Sequence, residues 1–288
     1  MTMQTFTIPI QSYLKRRQLF SQHMQTGIAI IPTAPERIRN RDAHYPYRCD
    51  SYFYYLSGFS EPEAVLVIVA KTDKVPEKHI LFCRAKDKER EIWDGYRYGP
   101  EAAKEAFNFD ETYPVTQLDE ILPTLLADQP VIYTALGHDS SWDQRIIGWM
   151  NQVRDQIRTG VTAPEKITDC RVILDEMRLI KSSEELQVMQ QAANISVQAH
   201  QRAMQITKPD KYEYEIEAEL LYTFNRLGAR FPAYTSIVAG GANACVLHYV
   251  ENTAELKSGD LLLIDAGCEL HGYASDITRT FPINGKFS

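Results

Sequence analysis

The chain has no hydrophobic run long enough to cross a bilayer. Its longest aliphatic stretch, Ala64 to Ala70, falls far short of the roughly 20 residues a spanning helix needs. The N-terminal stretch MTMQTFTIPIQSYLKRR lacks the ordered charged, apolar and small-residue regions of a signal peptide. No C-x-x-C occurs, and the five cysteines (Cys49, Cys83, Cys170, Cys245, Cys268) are odd in number and widely spaced. That pattern is neither a disulfide framework nor a zinc cluster, and the compartment it implies is the cytoplasm. No basic block offsets the net charge of -7, which argues against a nucleic-acid or anionic-membrane partner. Neither G-x-G-x-x-G nor G-x-x-x-x-G-K-S/T is present, so a nucleotide role has no support. There is no internal repeat at solenoid periods and no low-complexity segment.

What is present is the composition of a globular protein: 288 residues, 44% hydrophobic and 24% charged, enough for two domains. Ile8 to Gln25 has the pattern of a helix carrying Leu14, Leu19 and Phe20, followed by a strand from Gly27 to Ile31 that Pro32 ends. Residues 37–59 form a loop dense in arginine and tyrosine, either an aromatic packing surface or a binding segment. Ala64 to Ala70 and Lys78 to Arg84 are adjacent strands joined by a charged turn. Lys86 to Gly99 is a polar loop holding Trp93, in EIWDGYRYG. A lone indole there is a plug against the core, the commoner role, or a recognition wall. Helices at Ala102 to Phe107, Leu118 to Ala127 and Ser141 to Ile157, with a strand at Val131 to Leu136, complete an α/β layer domain. A strand signature at Val172 to Leu174 precedes a boundary that divides the chain into 1–176 and 177–288.

Beyond the boundary, Ser182 with Glu185 forms a capping box that opens a helix from Ser183 to about Ile206. Asp210 with Glu213 forms a second box for a helix from Lys211 to Leu227, stopped by Gly228. Two capped helices ahead of a sheet indicate an α+β domain. Its strands are Pro232 to Val238, then Ala244 to Tyr249, which carries His248 near its end. A histidine so placed is most often a hydrogen-bonded surface or core residue.

The second domain is organised around GDLLLIDAGCELHGYASDITRTFP, Gly259 to Pro282. Leu261 to Ala266 is apolar enough to be buried on both faces, apart from Asp265. A turn signal at Leu270, His271 and Gly272 returns the chain as a strand from Tyr273 to Phe281. A two- or four-residue loop centred on Leu270 and His271 sets Asp265 directly against Asp276, with Cβ atoms about 4.5–5.5 Å apart on one face. A three-residue loop moves them to a diagonal, still within reach of one ion. Two buried like charges need compensation, and hard carboxylate oxygens suit a divalent metal such as manganese. Alternatively, one aspartate caps a turn while the other pairs with Arg279 or a distant lysine.

RFPAYTSIVAGGANACVLHYVEN and GDLLLIDAGCELHGYASDITRTFP together resemble the first half of the catalytic domain of the aminopeptidase P (Xaa-Pro aminopeptidase) family. That family is the proline-specific branch of the pita-bread metallopeptidases. RNRDAHYPYRCDSYFYYLSGFSEPEAVL and EIWDGYRYG resemble its N-terminal domain, so the likeness covers essentially the whole chain. The resemblance implies an α/β N-terminal domain, a mixed sheet with flanking helices, followed by the first half of an α+β pita-bread domain. It implies removal of the N-terminal residue from peptides with proline second, by attack of a hydroxide bridging two divalent ions, usually manganese. By resemblance Asp265 chelates one metal and Asp276 bridges both. His248 corresponds to the histidine that contacts substrate beside the metals, the catalytic assignment. Tyr234 corresponds to an active-site tyrosine, Trp93 to a tryptophan lining the pocket for the first substrate residue, and Asp42 to a further substrate-side acid. The partners implied are Xaa-Pro peptides and, in the full-length enzyme, a homo-oligomer of two or four subunits.

The resemblance assigns the remaining three ligands, a histidine and two glutamates, to the second half of the pita-bread domain, and these 288 residues contain no such half. His271 cannot substitute, because the turn lies roughly 16 Å along the strand from the acids. Residues 1–288 alone are therefore expected to bind metal weakly and not to hydrolyse peptides at a useful rate. The sequence is expected to be a piece of a longer enzyme or a disrupted reading frame. The competing function is a non-catalytic pita-bread module that binds peptides or protein partners.

Overall fold

The structure is a computed structural model describing residues 6–73 and 75–287. Residues 1–5, part of the stretch tested for signal regions, lie outside the described residues, as do Lys74, in the charged turn, and Ser288. The chain divides between Ile180 and Lys181 into two compact units, residues 6–8 grouping with the second.

In chain order the first unit consists of α1 (Ile10–Met24), β1 (Ile28–Pro32), β2 (Ile38–Asn40), β3 (Ala43–His44), α2 (Ser51–Ser57), β4 (Val65–Val69), β5 (Lys78–Cys83), α3 (Lys88–Asp94), α4 (Gly99–Phe107), β6 (Glu111–Pro114), α5 (Leu118–Leu126), β7 (Val131–Thr134), α6 (Ser140–Arg154), β8 (Lys166–Asp169) and α7 (Arg171–Leu179). Six strands form one mixed sheet in the order β6-β5-β4-β1-β7-β8. The centre, β1-β4-β5, is antiparallel, and the flanks are parallel. Helices cover both faces, which is why β1 and β4 read as unbroken apolar runs instead of alternating. Ala29 and Ile31 of β1 join Phe20, Phe53 and Leu66 in one core, while Ile28 and Ile30 join Val65, Leu122 and Trp149 in the other. This is the α/β layer domain that the sequence implies.

Several local expectations are corrected. The segment 37–59 contains the β2–β3 ribbon and α2, whose N-cap Asp50 accepts from the amides of Tyr52 and Phe53 at 2.9 Å each. The loop at Lys86 to Gly99 contains α3, capped in the same way by Asp87. Val172 to Leu174 is helical, within α7, because Leu174 packs on the core one turn ahead of Met177. The strand lies just before it, at β8. In α1, Leu19 is exposed, and the buried face instead includes Arg17. That guanidinium donates to the carbonyls of Leu56, Phe107 and Asn108 at 3.1, 3.1 and 2.7 Å. Burial lowers its pKa to about 10, and the three carbonyls supply the partners that a buried cation requires.

The second unit consists of α8 (Ser183–Ile206), α9 (Glu213–Arg226), β9 (Phe231–Pro232), β10 (Ile237–Gly240), β11 (Leu261–Asp265), β12 (Cys268–Leu270), β13 (Tyr273–Ala274) and β14 (Thr278–Pro282). Ser182 and Glu185 close the expected capping box on α8. On α9 the box partner is Glu215, which accepts from the Tyr212 amide at 2.8 Å. Asp210 adopts a left-handed φ of 69° and Glu213 is fully buried, so the Asp210–Glu213 box is not formed. The strands make two small sheets, β10-β11-β14 and β13-β12-β9, and the β11-to-β14 hairpin runs through both. β11 is buried on one face only: Leu262 and Ile264 are enclosed, while Leu261 is exposed and Leu263 and Asp265 are half-buried. Two buried aliphatics of this kind contribute about 1.5–3 kcal/mol each. The expected strand Ala244 to Tyr249 is absent. A 3-10 turn occupies Gly241–Cys245, and an irregular loop follows.

Candidate metal centre

The hairpin turn decides where the two acids meet. It closes on His271 and Gly272, with φ of 49° and 80°, the doubly left-handed backbone that suits a two-residue hairpin. Leu270, buried and β-branch-free, pairs with Tyr273 across it. The turn therefore sits one residue later than the centre at Leu270 and His271, and Asp265 pairs with Thr278. Asp265 and Asp276 are not directly opposed. They lie on a diagonal, because Asp276 is two residues from Thr278 and so shares its face.

Close approach of the two chains keeps them together there. A Cβ on Gly267 would sit 1.7 Å from the Ser275 carbonyl oxygen, so only glycine fits. On either side of it the Ala266 amide donates to Ile277 at 3.1 Å and the Ser275 amide to Cys268 at 2.9 Å. Ser196 and Ser275 share a hydroxyl contact of 2.8 Å, and both accept from the Cys268 amide. Through these bonds α8 is stitched to the hairpin. His200, buried on the same helix, donates from Nε2 to the Ala266 carbonyl at 3.0 Å, and burial lowers its pKa.

Tyr234, on the segment between β9 and β10, completes the cluster. Its hydroxyl lies 2.5 Å from Asp265 Oδ1 and 3.0 Å from Asp276 Oδ1. A phenol has one proton, so it can satisfy one carboxylate fully and the other only in part. Burial, then the two neighbouring carboxylates, push the Tyr234 pKa upward, which keeps it a protonated donor. Neither acid forms an ion pair among the described residues; the Arg279 guanidinium turns instead to the Thr278 carbonyl at 2.7 Å. The alternative of an aspartate paired with Arg279 is therefore not what the structure shows. Two carboxylates converging without a cationic side chain beside them supply oxygens of the kind found in the donor set of a hard divalent ion. They are only part of one: among the described residues no group of three or more His, Cys, Asp and Glu side chains could hold a metal.

The structure thus brings together Tyr234, Asp265 and Asp276. His248 lies in the same unit on the loop after the 3-10 turn, with its side chain exposed. Asp42 and Trp93 belong to the first unit. Asp42 is exposed in the β2–β3 turn, and Trp93 is 85% exposed on α3 beside exposed Ile92, so it does not plug a core within its unit. His271 is half-buried in the hairpin turn.

Glu213, expected as a capping acid, has a different role. Its carboxylate is fully buried and accepts four bonds: from the Gly240 amide (2.8 Å), Asn243 Nδ2 (3.1 Å), the Tyr249 hydroxyl (2.8 Å) and the Ala254 amide (2.9 Å). A glutamate at the start of an amphipathic helix carries no sequence mark of burial, so nothing local distinguishes it from a capping acid.

Two family models match the chain. Residues 13–133 match the aminopeptidase P N-terminal domain, and residues 187–288 match metallopeptidase family M24. The chain is 45% identical over 279 residues to the Xaa-Pro aminopeptidase of Escherichia coli, covering 96% of itself and 63% of that protein. Its second domain is matched as one of metallopeptidase family M24. Its first domain is matched as that of aminopeptidase P. The Xaa-Pro aminopeptidase of Haemophilus influenzae is likewise 45% identical, over 98% of this chain and 63% of its own length. Among solved structures, the Pseudomonas aeruginosa aminopeptidase PepP superposes with a TM-score of 0.95 at 47% identity, covering 99% of this chain and 64% of that one. The chain therefore spans somewhat under two thirds of the relatives it matches. An M24 metallopeptidase takes a divalent metal, consistent with the acid pair, and no helix among the described residues is long and apolar enough to cross a membrane.

Proposed function

We propose that this chain is part of a metal-dependent aminopeptidase that removes the N-terminal residue from peptides with proline in second position. The observation that carries the reading is the acid pair itself: Asp265 and Asp276, without a cationic partner, share one tyrosine hydroxyl. Similarity to proteins named Xaa-Pro aminopeptidase supports the substrate class. In this reading Asp265 and Asp276 hold divalent metal, manganese in the cell. When bound, that ion supplies Lewis acidity that polarises the scissile carbonyl and makes water a nucleophile near neutral pH. Tyr234 orients the two carboxylates. His248 contacts substrate beside them, and Trp93 and Asp42 contribute to the pocket for the first substrate residue. Five free thiols support a reducing, cytoplasmic location, and we place the full-length protein in a homo-oligomer.

Residues 1–288 supply two of the five expected ligands, so on their own they act at most as a peptide-binding module. The test is release of the first residue from an Xaa-Pro peptide by the native protein supplemented with manganese. The reading requires cleavage that a chelator abolishes and Asp265→Asn removes; manganese-replete native protein that leaves the peptide intact refutes it. Measurable cleavage by residues 1–288 alone would overturn the ligand count.

A further inference from the structure

Between Cys245 and Val250 every residue is exposed except Tyr249. The orientation of His248 therefore depends on its neighbour, and Tyr249 is held in two ways. Its hydroxyl donates to Glu213 at 2.8 Å. Its ring packs with Ile237, Ala239, Ala244 and Leu263. Ile237 is the direct strand partner of Asp265, and Ala239 that of Leu263, so this cluster lies on the sheet face that carries Asp265. The loop bearing His248 is thus laid over the acid-pair face by Tyr249.

Glu213 fixes both ends of that loop as well as its middle. Gly240 marks the start, where β10 ends, and Ala254 marks the return; both amides donate to the one carboxylate. The return is doubly tied, because the Glu213 amide donates to the Ala254 carbonyl at 3.0 Å. Asn252, buried with a left-handed φ of 48°, adds a clamp: it accepts from the Val238 amide at 3.0 Å and donates to the Ser236 carbonyl at 2.9 Å. A carboxylate with two oxygens and about four lone-pair sites is the side chain suited to collecting four donors at one buried point. An uncharged amide in its place presents N–H groups toward backbone N–H groups.

We propose that Glu213 is the positioning residue for His248, holding the 240–254 loop closed over the face of the sheet that bears the acid pair. This rests on the reading of His248 as a substrate contact, and the two can fail separately. The experiment uses residues 1–288 with 13C-labelled histidine, the His248 resonance being assigned by its loss in His248→Gln. Hydrogen exchange is followed by mass spectrometry over the same variants. In Glu213→Gln, exchange across 240–254 should rise about tenfold or more. The His248 resonance should shift or broaden, while residues 183–206 of α8 keep their protection. Tyr249→Phe, which removes one donor and leaves the carboxylate, should move His248 in the same direction by a smaller amount and guards against a Glu213 variant that fails to fold. A His248 resonance at its wild-type position and width while the loop exchanges faster would overturn the proposal. So would unchanged loop exchange, or loss of protection across the whole of 181–287 in both variants. If His248→Gln leaves Xaa-Pro peptide binding intact, the substrate role of His248 falls while the positioning result stands.

Discussion

Replacing Gly267 by alanine tests whether close approach of the hairpin strands builds the site. The new Cβ would lie 1.7 Å from the Ser275 oxygen, 2.5 Å from its carbonyl carbon and 3.0 Å from the Asp276 nitrogen. All three are backbone atoms, so no side chain can rotate out of the way. A carbon beside a carbonyl oxygen rests at about 3.3 Å or more, which demands a backbone shift of about 1.6 Å. That is roughly a third of the spacing between paired strands. The shift acts on the peptide that carries Asp276 and strains the flanking Ala266–Ile277 and Ser275–Cys268 bonds. Overpacking together with those bonds amounts to about 3 kcal/mol, a large part of the stability of an ordinary domain. Urea unfolding of the 181–287 unit within the whole chain, read alongside divalent-metal affinity by calorimetry, is the assay. Gly267→Ala should lose both stability and metal binding. Gly148→Ala, at a helical site of the first unit with nothing within 4 Å, serves as the control: it should stabilise that unit by about 0.5–1 kcal/mol and leave the 181–287 transition and metal affinity unchanged. An alanine at 267 within about 0.5 kcal/mol of wild type (the scatter of neutral surface changes) and with unaltered metal affinity would show that close strand approach does not build the site.

Other consequences are equally checkable. His79 is buried near Arg17, Asp110 and Glu77, and burial, then Arg17, lowers its pKa to about 4 from 6.5. It is neutral in the folded unit and takes up a proton on unfolding between those values. Its stabilisation is therefore complete above pH 6.5 and lost as pH falls toward 4, by about 3 kcal/mol; His79→Gln should flatten the stability–pH profile in that window. Arg17→Met leaves the three carbonyls of Leu56, Phe107 and Asn108 without their donor and should destabilise the first unit by about 3 kcal/mol in urea. Ser182→Ala removes the α8 cap and should cost about 1 kcal/mol, with early exchange confined to the first turn of that helix.

The elements legible in the sequence are those in which local chemistry and tertiary packing agree. Ser182 and Glu185 mark the start of α8 because the cap is made within four residues of chain. β1 and β4 are readable because a sheet covered on both faces demands uninterrupted aliphatics. The acid pair could be found from the local pattern, since Asp265 ends an aliphatic run where a charge needs a reason and the turn signal brings Asp276 back beside it. Its register could not, because backbone φ at His271, and not hydrophobicity, selects which two residues turn. Val172 to Leu174 is β-branched enough to suggest a strand, yet Leu174 and Met177 one turn apart favour the helix once a core exists to receive them. Glu213 and the loop it gathers were invisible for a different reason: the four donors are spread from Gly240 to Ala254 and meet only in three dimensions. Trp93 carries no local sign of exposure, so its solvent-facing position on α3 had to come from the fold.

In the proposed function, Asp265 and Asp276 form one cation site. Substoichiometric Mn2+ added to 15N-labelled residues 1–288 tests it, because a paramagnetic ion broadens the amide signals nearest to it. Affinity should be on the order of 0.1–1 mM, set by two carboxylates, with broadening that begins at residues 264–266 and 275–277, includes Tyr234, and disappears in Asp276→Asn. Broadening that starts elsewhere in the chain, or that survives in Asp276→Asn, would contradict it.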